Sequence, residues 1–206
     1  MALLCLKLPS EPARRLSEVK VPGKKVPLDE KHVTLLHLGK DLDLEAILLA
    51  IQVTYQVVTS WSPFLLTTQW ISTFPPSERS EVPVIARVES DDLHELQEEL
   101  KDAFDEEGVP YSKKWKSYQP HVTLSYTDLD LAPEDFTIRP VQWSCSDIVL
   151  WGGDEGESDL VTRFPLSLSM GASSKYASRE GSTKDHLLRP YVKMALWSEK
   201  LGRSWR

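Results

Sequence analysis

At 206 residues, 41% of them apolar, the chain can bury one core of ordinary to large size or two closely packed lobes. Its net charge of -7 argues against holding long nucleic acid by bulk electrostatics. An anionic ligand must instead be gripped by local positive charge and hydrogen-bond donors.

Leu3 to Leu8 reads as a short buried strand. Pro9 and Pro12 bracket Ser10, a candidate N-cap for a short helix to about Val19. Residues 20–31 hold Pro22, Gly23, Pro27 and several charges and read as a loop. A strand is expected from about Lys31 to Leu38, stopped by Gly39. Asp43 opens a helix to roughly Val58, with apolar residues at Leu44, Ile47, Leu48, Ile51, Tyr55 and Val58. Strands follow at about Phe64 to Phe74 and Val82 to Glu89, separated by Pro75-Pro76. Asp91 or Asp92 caps a second long helix to about Glu107, striped by Leu93, Leu96, Leu100 and Phe104 and ended by Gly108. A basic, aromatic loop from Tyr111 to Tyr118 leads into a strand from His121 to Tyr126. Two more strands, about Cys145 to Trp151 and Asp159 to Leu168, read as a hairpin around an acidic Gly-rich turn.

The tetrapeptide His-Val-Thr-Leu occurs at His32–Leu35 and again at His121–Leu124, in a chain with five histidines. Chance would place two His-x-Thr-Leu matches in such a composition roughly once in a thousand shuffles, so the repeat calls for a chemical reason. Both copies lie in predicted strands, where residues i and i+2 share a face. His32 and Thr34 therefore point one way, as do His121 and Thr123. Val33 and Leu35, or Val122, Leu124 and Tyr126, point the other way into a core.

Two histidines facing one cleft suit paired acid–base work, because an imidazole exchanges protons near neutral pH. One takes a proton from the attacking hydroxyl or water, and the other protonates the departing oxygen. The threonine hydroxyls can donate to phosphate oxygens as charge grows on them. Neither motif offers a third metal ligand, so no metal and no cofactor is expected.

Two such strands in two halves of a chain this size resemble the two-histidine (2H) phosphoesterase superfamily. The resemblance covers about residues 1–168; Pro120 before the second motif and Tyr126 after it also fit. It implies an α+β, bilobal 2H phosphoesterase fold, with two pseudo-symmetric helix-and-antiparallel-sheet lobes around a central cleft. It implies His32, Thr34, His121 and Thr123 as catalytic residues. The expected activity is metal-independent phosphodiester hydrolysis of a 2′,3′-cyclic phosphate, a 2′,5′-linked oligonucleotide or a cyclic (oligo)nucleotide messenger. RNA-end processing, 2′,5′ RNA ligation and a non-catalytic nucleotide-binding module are the alternatives.

The loop before the second motif interleaves lysines with aromatics. Lys113, Trp115 and Tyr118 are candidate substrate-binding residues, offering charge for phosphate and rings for stacking. A solvated loop with its aromatics tucked into the core explains the same residues equally well. Trp151 suits either the cleft rim or a hairpin. His37, five positions after His32, falls on the opposite strand face and reads as a core-side or edge residue. His94 reads as a surface residue, and the Asp102, Asp105, Glu106 and Glu107 group as the polar end of a helix.

From about residue 169 the composition changes. Residues 171–206 hold 8 Lys/Arg and 3 Asp/Glu, against 16 and 28 in the rest of the chain. A Ser/Gly-rich linker leads to a basic stretch that could form an amphipathic helix through Leu187, Tyr191, Met194, Trp197 and Leu201. It reads as a mobile or packed tail, or as a contact for RNA or another anionic surface. Cys5 and Cys145 argue for a reducing compartment rather than a disulfide framework. The first residues are too short and uncharged for a secretory signal, and no apolar run reaches membrane-spanning length. The expectation is a cytoplasmic monomer that acts on a small nucleotide or oligonucleotide and does not associate with membranes.

Overall fold

Each motif strand closes a strand–helix–strand unit. In the first, β1 (Ala2–Lys7), α1 (Ser10–Ser17) and β3 (His32–Gly39) follow in order, with the two-residue β2 (Lys24–Lys25) between helix and motif strand. In the second, β5 (Val82–Glu89), α3 (Asp91–Glu107) and β6 (His121–Thr127) repeat the order. The remaining elements are α2 (Leu44–Val58), β4 (Phe64–Thr73), β7 (Gln142–Cys145), β8 (Asp147–Gly152) and β9 (Asp159–Pro165). The computed structural model describes residues 2–40, 42–74, 81–115, 117–128, 138–152 and 159–166. The linker and basic tail, His186, Lys116, the Pro75-Pro76 turn and the acidic turn after Gly152 lie outside those residues.

The described strands form an antiparallel sheet in the order β7-β4-β5-β6-β3-β1-β8-β9, with β2 beside β6. The two motif strands lie at its centre, joined at Val33 and Val122. Outward from them the halves match: β1 and β8 flank β3, and β5 and β4 flank β6. This is the expected α+β architecture of two pseudo-symmetric lobes, with the motif strands where the lobes meet.

Burial explains why these sequences hold their places. Leu93, Leu96, Leu100 and Phe104 form the α3 stripe and are completely buried. On α2 the buried stripe is Ala50, Ile51, Val53, Thr54, Val57 and Val58. Leu44 and Tyr55, two of the apolar residues that marked the predicted helix, are exposed there. The helix is apolar around much of its circumference, so periodicity alone could not set its rotation. α2 packs against α3 and β9, and the Trp61 indole just past its end donates to Glu99 on α3 at 2.7 Å.

Capping differs from expectation in two places. Ser90, not Asp91 or Asp92, caps α3, its Oγ accepting from the Leu93 amide. Ser10 is already inside α1, whose N-cap is Pro9 with no side-chain bond. Asp43 caps α2 as expected, accepting from the Ala46 amide at 2.8 Å. Gly108 ends α3 in the left-handed conformation at φ 71°. The predicted strand Cys145–Trp151 is two strands, β7 and β8, in different lobes.

The loop before the first motif supplies β2, which pairs with Ser125 and Tyr126. Gly23 makes that approach at φ +86°, where a Cβ would lie 2.1 Å from the Tyr126 carbonyl oxygen.

Candidate active site

Val33 and Val122 are direct antiparallel partners and are both fully buried. Residues on either side of such a pair also face across the ladder. His32 therefore stands across from Thr123, and Thr34 across from His121, all on the face opposite the valines. The result is a crossed quartet, with each histidine at the register position opposite the other motif's threonine. All four are part-exposed while their Val and Leu neighbours are buried. The expected alternation of each motif, with His and Thr on one face and buried Val and Leu on the other, holds through these positions.

Both imidazoles are set the same way. His32 Nδ1 lies 2.7 Å from the Glu30 carbonyl oxygen, and His121 Nδ1 lies 2.7 Å from that of Gln119. A carbonyl oxygen only accepts, so each Nδ1 carries hydrogen and each neutral ring leaves Nε2 as a lone-pair base. Burial pulls the His32 pKa down to about 4, helped by the nearby Lys7 charge, while the bond to Glu30 opposes it. Burial also lowers His121, with Arg87 adding to the effect and the Gln119 bond opposing it. Each histidine is thus biased towards its neutral, proton-accepting form.

Past the quartet both motif strands carry a bulge. Thr34 pairs with Cys5 and Leu36 with Leu4, which leaves Leu35 without a partner. Thr123 pairs with Ile85 and Ser125 with Val84, which leaves Leu124 without one. An extra residue inverts the alternation beyond it. His37, read from spacing as lying on the other face, is therefore on the same face as His32 and Thr34, opposite Leu3. Tyr126, assigned to the core side, sits opposite Pro83 on the quartet's face and is 42% exposed. Both corrections have the same cause: strict period-two counting cannot see a bulge.

The same registers bring in residues that sequence reasoning missed. Lys7 is the direct partner of His32, and Arg87 that of His121. The Lys7 ammonium lies 3.6 Å from the Trp151 ring centroid, and Trp151 sets its ring edge-on to His32 at 5.0 Å. The Arg87 guanidinium lies 5.0 Å from the Phe74 ring, and Phe74 is edge-on to His121 at 4.7 Å. Each histidine is thus held by a backbone carbonyl, an aromatic edge and a neighbouring cation. No local motif marks Lys7 or Arg87; only strand pairing reveals them. Cys5, beside Thr34, is fully buried with its thiol pushed up to about 12, so it is a neutral wall rather than a nucleophile.

The aromatic loop divides its residues among different tasks. Tyr118 donates its hydroxyl to the Thr34 carbonyl at 2.9 Å. Trp115 is 60% exposed and lies beside His37, ring centroids 5.1 Å apart. The Ser112 amide donates to the His37 carbonyl at 2.7 Å. Lys113 pairs with Asp105 on α3 at 2.7 Å, and Tyr111 donates to the same carboxylate at 3.0 Å. Asp105 is therefore an anchor for the loop as well as part of the polar helix end. Among the described residues no three His, Cys, Asp or Glu side chains gather closely enough to hold a metal ion, and no helix is long and apolar enough to cross a membrane.

The comparisons agree with this architecture. The TT0787 protein of Thermus thermophilus superposes with a TM-score of 0.64 at 21% identity, over 80% of this chain and 97% of that one. E. coli LigT, solved with NADP+, gives 0.59 at 19% identity, over 81% and 96%. A structure described as a phosphoesterase gives 0.58 at 19% identity, over 81% and 98%. No curated protein sequence matches significantly. The family profile described as the 2′-5′ RNA ligase superfamily matches residues 8–157, a span that takes in both His-x-Thr motifs, and the chain belongs to that superfamily of 2H phosphoesterases.

Proposed function

We propose that the chain is a metal-independent phosphodiesterase in which His32 and His121 act as the acid–base pair and Thr34 and Thr123 hold the scissile phosphate. The observation that carries this reading is the crossed quartet, with both Nδ1 atoms committed to carbonyls and both Nε2 atoms left for substrate. One imidazole removes a proton from the attacking water as its oxygen bonds to phosphorus. The other, protonated, gives its proton to the ribose oxygen as the P–O bond breaks. Donation from the threonine hydroxyls supports the charge that grows on the non-bridging oxygens.

The substrate class is a 2′,3′-cyclic phosphate, a 2′,5′-linked oligonucleotide or a cyclic (oligo)nucleotide messenger. E. coli LigT has been solved with NADP+, with 3′-AMP and with ATP, which supports a nucleotide ligand for a protein of this fold. Trp115 offers an open face for a base beside His37, and Lys113 reaches a phosphate by exchanging its Asp105 partner. The chain would act as a monomer in the cytoplasm, without a cofactor. The family name favours a second reading, RNA-end joining, in which the same proton transfers run in reverse.

The test is a panel of cyclic phosphates, 2′,5′-oligonucleotides and cyclic di- and trinucleotides, with products read by mass. Hydrolysis should survive excess EDTA. His32→Ala and His121→Ala should each lower it by about 10²–10⁴-fold, the usual contribution of a positioned acid or base. Full activity in both variants would overturn the mechanism. Ligated products from 2′,3′-cyclic-phosphate ends would establish the joining reading. Tight nucleotide binding without turnover would make the protein a binding module.

A further inference from the structure

The proton transfers and phosphate contacts assigned above leave two charged residues unused. Lys7 and Arg87 occupy matching places, each the direct cross-strand partner of one motif histidine. Directly paired residues share a sheet face, so both cations lie on the face of the quartet. Each is one strand further from the centre than its histidine, about 4.8 Å outward, and the two lie on opposite sides.

Among the described residues no carboxylate forms an ion pair with Lys7 or Arg87. The Lys7 ammonium donates to the backbone carbonyl of Asp29, and the Arg87 guanidinium to the side-chain carbonyl of Gln119 at 2.7 Å. The Trp151 and Phe74 rings hold the two head groups in place beside the histidines. Burial disfavours the charge on both. In a chain with 31 Asp and Glu, two part-buried cations whose head groups reach no carboxylate at ion-pair distance among the described residues point to an anion supplied from outside. Each retains unused donors: an ammonium has three and a guanidinium five.

We propose that Lys7 and Arg87 each bind a phosphate flanking the scissile one, so that the preferred substrate is an oligonucleotide with phosphates on both sides of the bond that is cut. This rests on the phosphodiester reading above. A nucleoside 2′,3′-cyclic phosphate carries a single phosphate; with that phosphate at the quartet, it has none left for either cation. An oligonucleotide through the quartet places its neighbouring phosphates outward on both sides, where the cations are. If the cations served only to bias the histidines, their removal would affect every substrate alike.

The test compares a 2′,5′-linked dinucleotide with no terminal phosphate against the same molecule bearing a 5′-phosphate, a terminal 2′-phosphate, or both. The readout is the ratio of kcat/KM for phosphorylated over unphosphorylated substrate, in which any loss of folded enzyme cancels. The parent should favour each terminal phosphate by roughly tenfold, the scale of one charge-assisted contact. Lys7→Met should bring the ratio for one terminal phosphate close to one, and Arg87→Met the ratio for the other. Lys7→Arg should keep the preference. Equal losses on all substrates, or no preference in the parent, would overturn the proposal. Binding of the same ligands to His32→Ala protein is measured alongside. If the parent cleaves nothing, the phosphodiesterase reading fails, and the binding preference and its loss in Lys7→Met/His32→Ala still decide the role of the cation.

Discussion

Tyr118 donates its hydroxyl to the backbone carbonyl of Thr34, 2.9 Å away and 84 residues earlier in the chain. The loop that delivers the second histidine is thereby tied to the strand that bears the first. Independent movement of the two half-sites would break this part-buried bond.

Tyr118→Phe removes the donor and keeps the ring. The change should destabilise the fold by about 1 kcal/mol, the usual net value of one hydrogen bond. Turnover should fall several-fold, because the Thr34 strand loses its link to the His121 loop, while the products stay the same. Thermal melts and steady-state kinetics check both outcomes. Parent-like stability and turnover would show that the bond does not hold the two halves in register.

In the proposed reading Trp115 and Lys113 would make two different kinds of substrate contact. Trp115→Ala should raise KM by roughly tenfold or more with a smaller change in kcat, since one stacked base contributes about 1–3 kcal/mol. Lys113→Ala should raise KM less, because this exposed lysine must leave Asp105 before it meets a phosphate. Unchanged kinetics in Trp115→Ala would assign the loop to structure alone.

Acid should weaken the fold through the motif histidines. The His32 pKa is about 4 in the folded chain, against an unfolded value near 6.5. Between those values the unfolded state binds the proton first, so stability falls as pH drops from 6.5 towards 4. The slope for one such group approaches about 1.4 kcal/mol per pH unit. His121 acts in the same direction. Urea midpoints from pH 7.5 to 5 should decline for the parent and decline less for His32→Phe. A steeper decline in the variant would contradict the assignment.

The pH profile of activity follows from the same groups. In the proposed mechanism one histidine must be neutral and the other protonated. Both pKa values lie below the ordinary 6.5 in the free enzyme, and kcat/KM reports the free enzyme. Its maximum should therefore lie on the acid side of 6.5 and fall as the remaining proton leaves. Bound phosphate, an anion, should move the kcat profile to higher pH. An optimum for kcat/KM above pH 8 would exclude this pair as the acid and base.

The linear sequence was enough to place both His-x-Thr motifs on strands and to separate His and Thr from Val and Leu. That division is local, because a strand turns alternate residues to opposite faces whatever surrounds it. The α3 stripe and the Gly108 stop were legible for the same reason. The crossing of His32 with Thr123 and of Thr34 with His121 was decided only in three dimensions, because it depends on which residues of strands 89 positions apart become partners. The bulges at Leu35 and Leu124 likewise depend on β1 and β5, and they turn His37 and Tyr126 onto the quartet's face. Lys7 and Arg87 gain meaning only from their cross-strand partners. Side-chain type and strand periodicity belong to the sequence; register belongs to the fold, because it is settled by which buried faces fit together.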